Sequence, residues 1–246
     1  VPDLLVYAPQ VSTGSAMPPF DRARVYLVPG GERGDVRLTA YPSLVHADET
    51  AEIIRMAGIG DTNGNGVGEL LFTSDDSEVF LLMGPPGSPW DTSVAHTRFV
   101  SGEEGRDQLG YALAPAGDTN GDALADFLLG APGTDSVDHD QGAAHLIVGP
   151  VQNGEQVRPS AVDEASFYGE GQEDLLGQAV AAADLDGDGL PDVLLGSPGA
   201  RQDDGEVLVF LSPVSGWYQA RDADLELHSD SSIELGESLA AGEDLA

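Results

Sequence analysis

Residues 117–132 read GDTNGDALADFLLGAP. Oxygen-bearing side chains stand at Asp118, Asn120, Asp122 and Asp126, and an apolar run ending in Gly-Ala-Pro follows at once. Carboxylates and amides at alternate positions are the chemistry of a hard cation, because Ca²⁺ collects about six to eight oxygens from side chains, backbone carbonyls and water. A loop of this kind has two relatives in the chain. They are DTNGNGVGELLFTS from Asp61 and DLDGDGLPDVLLGSP from Asp184, so the leading aspartates are 57 and 66 residues apart.

Aligned in register, positions 1, 3, 5 and 9 are Asp61, Asn63, Asn65 and Glu69 in the first loop. The second has Asp118, Asn120, Asp122 and Asp126, and the third Asp184, Asp186, Asp188 and Asp192. Position 7 is apolar (Val67, Leu124, Leu190) and can offer its backbone carbonyl. Position 4 is Gly64, Gly121 or Gly187, which lets the chain wrap tightly where a Cβ would force an unfavourable φ. This pattern predicts up to three complete Ca²⁺ sites. An EF-hand is excluded, since it needs a Glu at position 12 and flanking helices, whereas position 12 here is Phe72, Leu129 or Leu195. Metal-free Asx turns are the plain alternative. Three copies in register with an acid fixed at position 9 argue against them. An ion enclosed by one loop, with no His or Cys nearby, is structural rather than catalytic.

The repeat extends beyond the loop. Each is followed by an apolar run, a turn and a second apolar run: EVFLLMGPP from Glu78, AAHLIVGP from Ala143 and EVLVFLSP from Glu206. Glycine and a small-residue segment come before the loops, in LGYALAPAGD from Leu109, LGQAVAAAD from Leu176 and LGESLAAGED from Leu235. Short Val/Leu/Phe runs punctuated by Gly, Pro and Asp predict strands, and no long stretch has helical periodicity. Four short strands in a unit of about sixty residues predict an all-β chain of propeller blades. The ends carry the same pattern: PDLLVYAP from Pro2 matches PDVLLGSP from Pro191, and LGESLAAGED puts Asp244 at a first loop position. The expected layout is a partial blade over 1–60, repeats starting near 61, 118 and 184, and a further blade beginning near 236. About four blades are then expected, read as part of a larger propeller, with a four-bladed ring whose termini meet in a split loop as the alternative.

Composition sets outer bounds. The chain has 246 residues, 43 Asp and Glu against ten basic residues, a net charge of −33 and no cysteine. All ten basic residues are Arg. Such a surface repels nucleic acid and anionic lipid and attracts cations. No apolar run reaches the ~18 residues of a membrane helix. Disulfide and thiol chemistry are excluded.

Glycine, a small-apolar strand, D-x-[DN]-G-[DN]-x-x-x-[DE], an apolar strand and G-[AS]-P together resemble the FG-GAP repeat of integrin α-subunit propellers and their bacterial relatives. The GAP element stands at Gly130–Pro132 and, as GSP, at Gly196–Pro198; the FG element is assigned to FYGEGQEDLLG from Phe167. The resemblance implies a β-propeller with Ca²⁺ in the hairpin between the first two strands of a blade. It also implies an extracellular or cell-surface, non-enzymatic module that recognises a protein or glycan ligand and sits beside other domains of a longer chain. The other reading is a non-catalytic accessory domain of a larger secreted hydrolase or lyase. Ligand charge tunes affinity, so the third loop is expected to bind Ca²⁺ most tightly and the first least.

Remaining motifs carry less. RGD at Arg33–Asp35 is read as a chance match in a chain rich in Gly and Asp. His46, His96, His139, His145 and His228 are scattered, and HSD at His228–Asp230 lacks triad geometry because strand neighbours point to opposite faces. Trp90 and Trp217 are read as inter-blade plugs or as stacking platforms for sugars.

Overall fold

A computed structural model describes residues 4–8, 24–28, 37, 43–45, 53–74, 77–83, 90–91, 97–101, 106–135, 140–151, 154–229 and 233–242. Arg33–Asp35, Asp3, Asp244, His46, His96 and His139 lie outside them. The described residues are mostly β and form four sheets. The first contains β1 (Leu4–Ala8), β2 (Arg24–Val28), β3 (Ser43–Val45) and, far along the chain, β7 (Trp90–Asp91). The second runs from β4 (Ile53–Gly60) through β5 (Glu69–Ser74) and β6 (Val79–Leu82) to β8 (Thr97–Phe99) and β12 (Gly154–Val157). The third is β9 (Ala112–Gly117), β10 (Asp126–Ala131), β11 (Ala143–Ile147), β13 (Ala165–Tyr168) and β17 (Gly216–Gln219). The fourth is β14 (Ala179–Ala183), β15 (Asp192–Ser197), β16 (Glu206–Phe210) and β18 (Leu225–His228).

Sheets two to four share one plan: four antiparallel strands in chain order, with the acidic loop joining the first strand to the second. A further strand goes beyond the four expected per unit. The segment leaving the third strand of a sheet crosses back and adds a parallel strand to the outer edge of the preceding sheet, so β7 pairs β3, β12 pairs β8 and β17 pairs β13. These pieces are short and turn-like in sequence, and only the neighbouring sheet gives them a partner.

The middle strands read as continuous apolar runs because both faces of the sheet are covered. All six residues of β10 are buried. On one face Phe127, Leu129 and Ala131 join Leu71, Leu81 and Phe99 of the second sheet. On the other, Leu128, Ala144, Leu146 and Phe167 pack with Val193, Leu195, Leu208 and Phe210 of the fourth. Aromatic pairs mark both seams: Phe99 meets Phe127 edge-on at 5.9 Å between centroids, and Phe167 lies 4.7 Å from Phe210. Each such pair adds roughly 0.5–1.5 kcal/mol beyond its buried area.

The seams also need glycine. A Cβ on Gly130 would stand 2.1 Å from the Gly177 carbonyl oxygen, and one on Gly177 would stand 2.2 Å from that of Ala143. In the third and fourth sheets the glycine before the first strand also donates its N–H to the glycine of the second, Gly110 to Gly130 at 2.8 Å and Gly177 to Gly196 at 3.0 Å.

Candidate metal centres

The three acidic loops lie side by side along one rim of the sheets. Ala125 of the second loop donates its N–H to the Asp61 carbonyl of the first at 2.9 Å. A Cβ on Gly117 would touch Pro191 of the third loop at 3.0 Å. Leu124 approaches the first loop at Gly64, and Leu190 approaches the second at Gly121. The position-7 residues Leu124 and Leu190 thus each lie against the preceding loop, while Val67 of the first loop is exposed.

Within each loop the position-1 aspartate organises the backbone. Asp184 accepts from the N–H groups of Gly187 at 2.7 Å and Gly189 at 3.0 Å. Asp118 accepts from Gly121, Asp122 and Ala123 at 2.7–3.0 Å. Asp61 accepts from four, Asn63, Gly64, Asn65 and Gly66. Desolvation pushes the Asp61 carboxyl up, but the four backbone N–H bonds together hold it below its ordinary value. Positions 3 and 5 each cap the amide two residues on: Asn63 to Asn65 and Asn65 to Val67, Asn120 to Asp122 and Asp122 to Leu124, Asp186 to Asp188 and Asp188 to Leu190.

A cation needs the oxygens left over. In the third loop, carboxylate oxygens of Asp184, Asp186 and Asp188 lie within 4.8 Å of one another, and all three residues are exposed. Among the described residues, Asp186 and Asp188 each have one oxygen with no hydrogen bond, and every bonded carboxylate oxygen still has a second lone pair. In the second loop Asn120 replaces one carboxylate and donates to Asp122 at 3.3 Å. In the first loop, Asp61 is crowded by backbone donors and Asn63 donates to Glu69 at 3.0 Å. The donor set of the third loop fits a hard divalent cation; the first offers the fewest open oxygens.

Position 9 differs from the other three. Glu69, Asp126 and Asp192 are buried, and their carboxylates tie the loop shut from beneath. Glu69 accepts from the Thr62 N–H and hydroxyl, Asp126 from those of Thr119, and Asp192 from the Leu185 N–H. The second oxygen of Asp126 reaches Gly149 N–H at 3.0 Å, and that of Asp192 reaches Ser212 N–H at 2.9 Å. These two carboxylates thus fasten the loop to the turn that follows the third strand of its own sheet. Burial pushes the Asp126 carboxyl above its ordinary value, with Thr119 and Gly149 working against it and the Asp122 charge with it.

A second polar cluster was not legible in the sequence. His145 Nδ1 lies 2.7 Å from Asp163 Oδ2, and the Ser166 hydroxyl donates to the same oxygen. The His145 ring meets Tyr168 edge-on at 6.4 Å. Antiparallel register sets His145 opposite Ser166 across β11 and β13, although the two are 21 residues apart in the chain. Trp217, on the crossing strand β17, is 68% exposed and lies 4.5 Å from Tyr168. It is therefore no inter-blade plug.

Residues 109–147 and 176–210 match the FG-GAP repeat family model. Both matches open on Leu-Gly pairs, Leu109–Gly110 and Leu176–Gly177, and the second pair closes the FYGEGQEDLLG stretch. The chain is also similar to integrin alpha pat-2 of Caenorhabditis briggsae, 37% identical over 99 residues. That alignment covers 40% of this chain and 8% of the relative. Loop, strand pairing and glycine seam all repeat in the matched units, and over those residues the chain carries FG-GAP repeats similar to those of an integrin α subunit.

Proposed function

We propose that the chain is a calcium-stabilised, non-enzymatic recognition module of the cell exterior, with its sheets acting as consecutive blades of a β-propeller. The observation that carries the reading is the row of three acidic loops on one rim, each closing a hairpin that is fastened from below by a buried carboxylate. In the third loop Asp184, Asp186, Asp188, Asp192 and the Leu190 carbonyl would hold the ion. Asp118, Asn120, Asp122, Asp126 and the Leu124 carbonyl would do so in the second. Asp61, Asn63, Asn65, Glu69 and the Val67 carbonyl form the weakest set. When bound, Ca²⁺ supplies positive charge that offsets crowded carboxylates in a chain of net charge −33, and it freezes the hairpins.

Similarity to an integrin α subunit supports adhesion as the role, and a protein or glycan as the partner. Among the described residues no helix is long and apolar enough to cross a membrane. Binding restricted to the folded state adds to stability. Thermal unfolding in Ca²⁺ and then in excess chelator tests the metal, with a clear fall in melting temperature expected. Identical curves, together with no heat of Ca²⁺ binding, would remove the reading.

A further inference from the structure

We propose that the seam between the second and third sheets carries a binding site for one uncharged sugar residue, built around His145, Tyr168 and Arg158. This deepens the recognition role and rests on it. The site is a cavity of about 300 Å³ at the outer edge of the seam, away from the acidic loops. That volume is at the small end of the range for ligand pockets.

The walls decide the ligand class. Asp107 and Asp135 line the cavity and offer carboxylate acceptors. Arg158 lines it as well, is exposed, and forms no ion pair among the described residues, in a chain where acids outnumber bases fourfold. The Ser101 hydroxyl donates to Asp107 at 2.8 Å, and those of Thr134 and Ser160 can both donate and accept. A wall with two carboxylates, backed by Asp163, disfavours an anion. A free guanidinium disfavours a cation. Donors and acceptors interleaved around one small space match a ring of hydroxyl groups.

The floor is preorganised. Asp163 fixes the His145 ring through Nδ1, and among the described residues Nε2 has no hydrogen-bond partner. Tyr168 also lines the cavity and is itself buried. It supports Trp217, whose indole is more exposed than any other large hydrophobic side chain among the described residues. Trp217 does not itself line the cavity; braced by Tyr168, which does, its exposed indole is a flat apolar ledge one ring away. The C–H face of a pyranose needs that combination.

Ligand-observed NMR with methyl glycosides of glucose, galactose and mannose tests the site on the whole chain in Ca²⁺. Saturable binding of one glycoside is expected, weakened tenfold or more by Trp217→Ala and by Arg158→Ala. Both side chains are exposed, so the variants should keep the parent melting temperature. Tyr168→Phe, which retains the ring, should weaken binding less than Trp217→Ala. No saturable binding of any of the three, or parent-like binding by both alanine variants, would overturn the inference. So would tighter binding of methyl glucuronide, which carries a carboxylate. A chain that binds Ca²⁺ but no glycoside loses this site and keeps the proposed function.

Discussion

Asp126 accepts a hydrogen bond from the backbone N–H of Gly149 at 3.0 Å, across 23 residues of chain, and so joins an acidic loop to the far turn of its sheet. With Thr119 bound to the other oxygen, one buried carboxylate satisfies three donors. Asp126→Ala leaves them unpaired, and each buried orphan costs about 1–3 kcal/mol. Urea unfolding in chelator, where metal contributes nothing, should show a loss of about 3 kcal/mol or more. A change no larger than the roughly 0.5 kcal/mol of a surface substitution would show that the clamp is not structural.

The loops should differ in affinity. Asp184→Ala removes one of three clustered carboxylates, whereas Asp61→Ala acts in a loop whose other acid is already hydrogen-bonded to Asn63. Calorimetric titration should show the tightest Ca²⁺ step weakened tenfold or more by Asp184→Ala, about 1.4 kcal/mol, and left in place by Asp61→Ala. Equal losses in the two variants would sink the ranking.

Glycines separate by what surrounds them. Gly130→Ala drives a methyl against the Gly177 carbonyl, backbone against backbone, and should cost about 3 kcal/mol or more. Gly187 has φ +81° but nothing within 4 Å of the place a Cβ would take, so Gly187→Ala should cost only about 1–2 kcal/mol. Chemical denaturation without metal compares the two, and a reversed order would contradict the seam.

Glu206 gives a pH test. Its carboxylate receives Arg201 Nε at 2.7 Å, an attraction that raises the Arg201 pKa. Burial nevertheless outweighs the pair, and with Glu226 and Asp174 nearby the Glu206 pKa stands above its ordinary 4.5. The folded state therefore holds its proton to higher pH than the unfolded chain. The stabilising contribution is complete below 4.5 and is lost as pH rises through the folded value. Glu206→Gln should match the parent in acid and exceed it at neutral pH, by no more than about 1 kcal/mol for a partly screened pair. A variant less stable at neutral pH than in acid, relative to the parent, would reverse the sign.

Much of this was legible because it is periodic. The loops recur in register, so their residues and the strand-rich units followed from spacing, and the family resemblance supplied their hairpin position. The Leu-Gly pairs recur just as clearly, yet their meaning lies in carbonyl contacts across a seam, which spacing does not display. His145, Asp163, Ser166 and Tyr168 recur nowhere. Their proximity comes from the register of β11 on β13, and one step of slip would turn His145 to the opposite face.

The sequence by itself determined the local chemistry: alternating oxygen donors, a glycine that permits the wrap, and apolar runs too continuous for a sheet with one wet face. Those properties depend on near neighbours in the chain. Tertiary structure alone decided that position 9 is a buried clamp, that the segment after each third strand adds to the preceding sheet, and that a polar cavity opens between His145, Arg158 and Tyr168. Each of these depends on backbone groups dozens of residues away, whose donors, acceptors and open edges become partners only when the sheets stack.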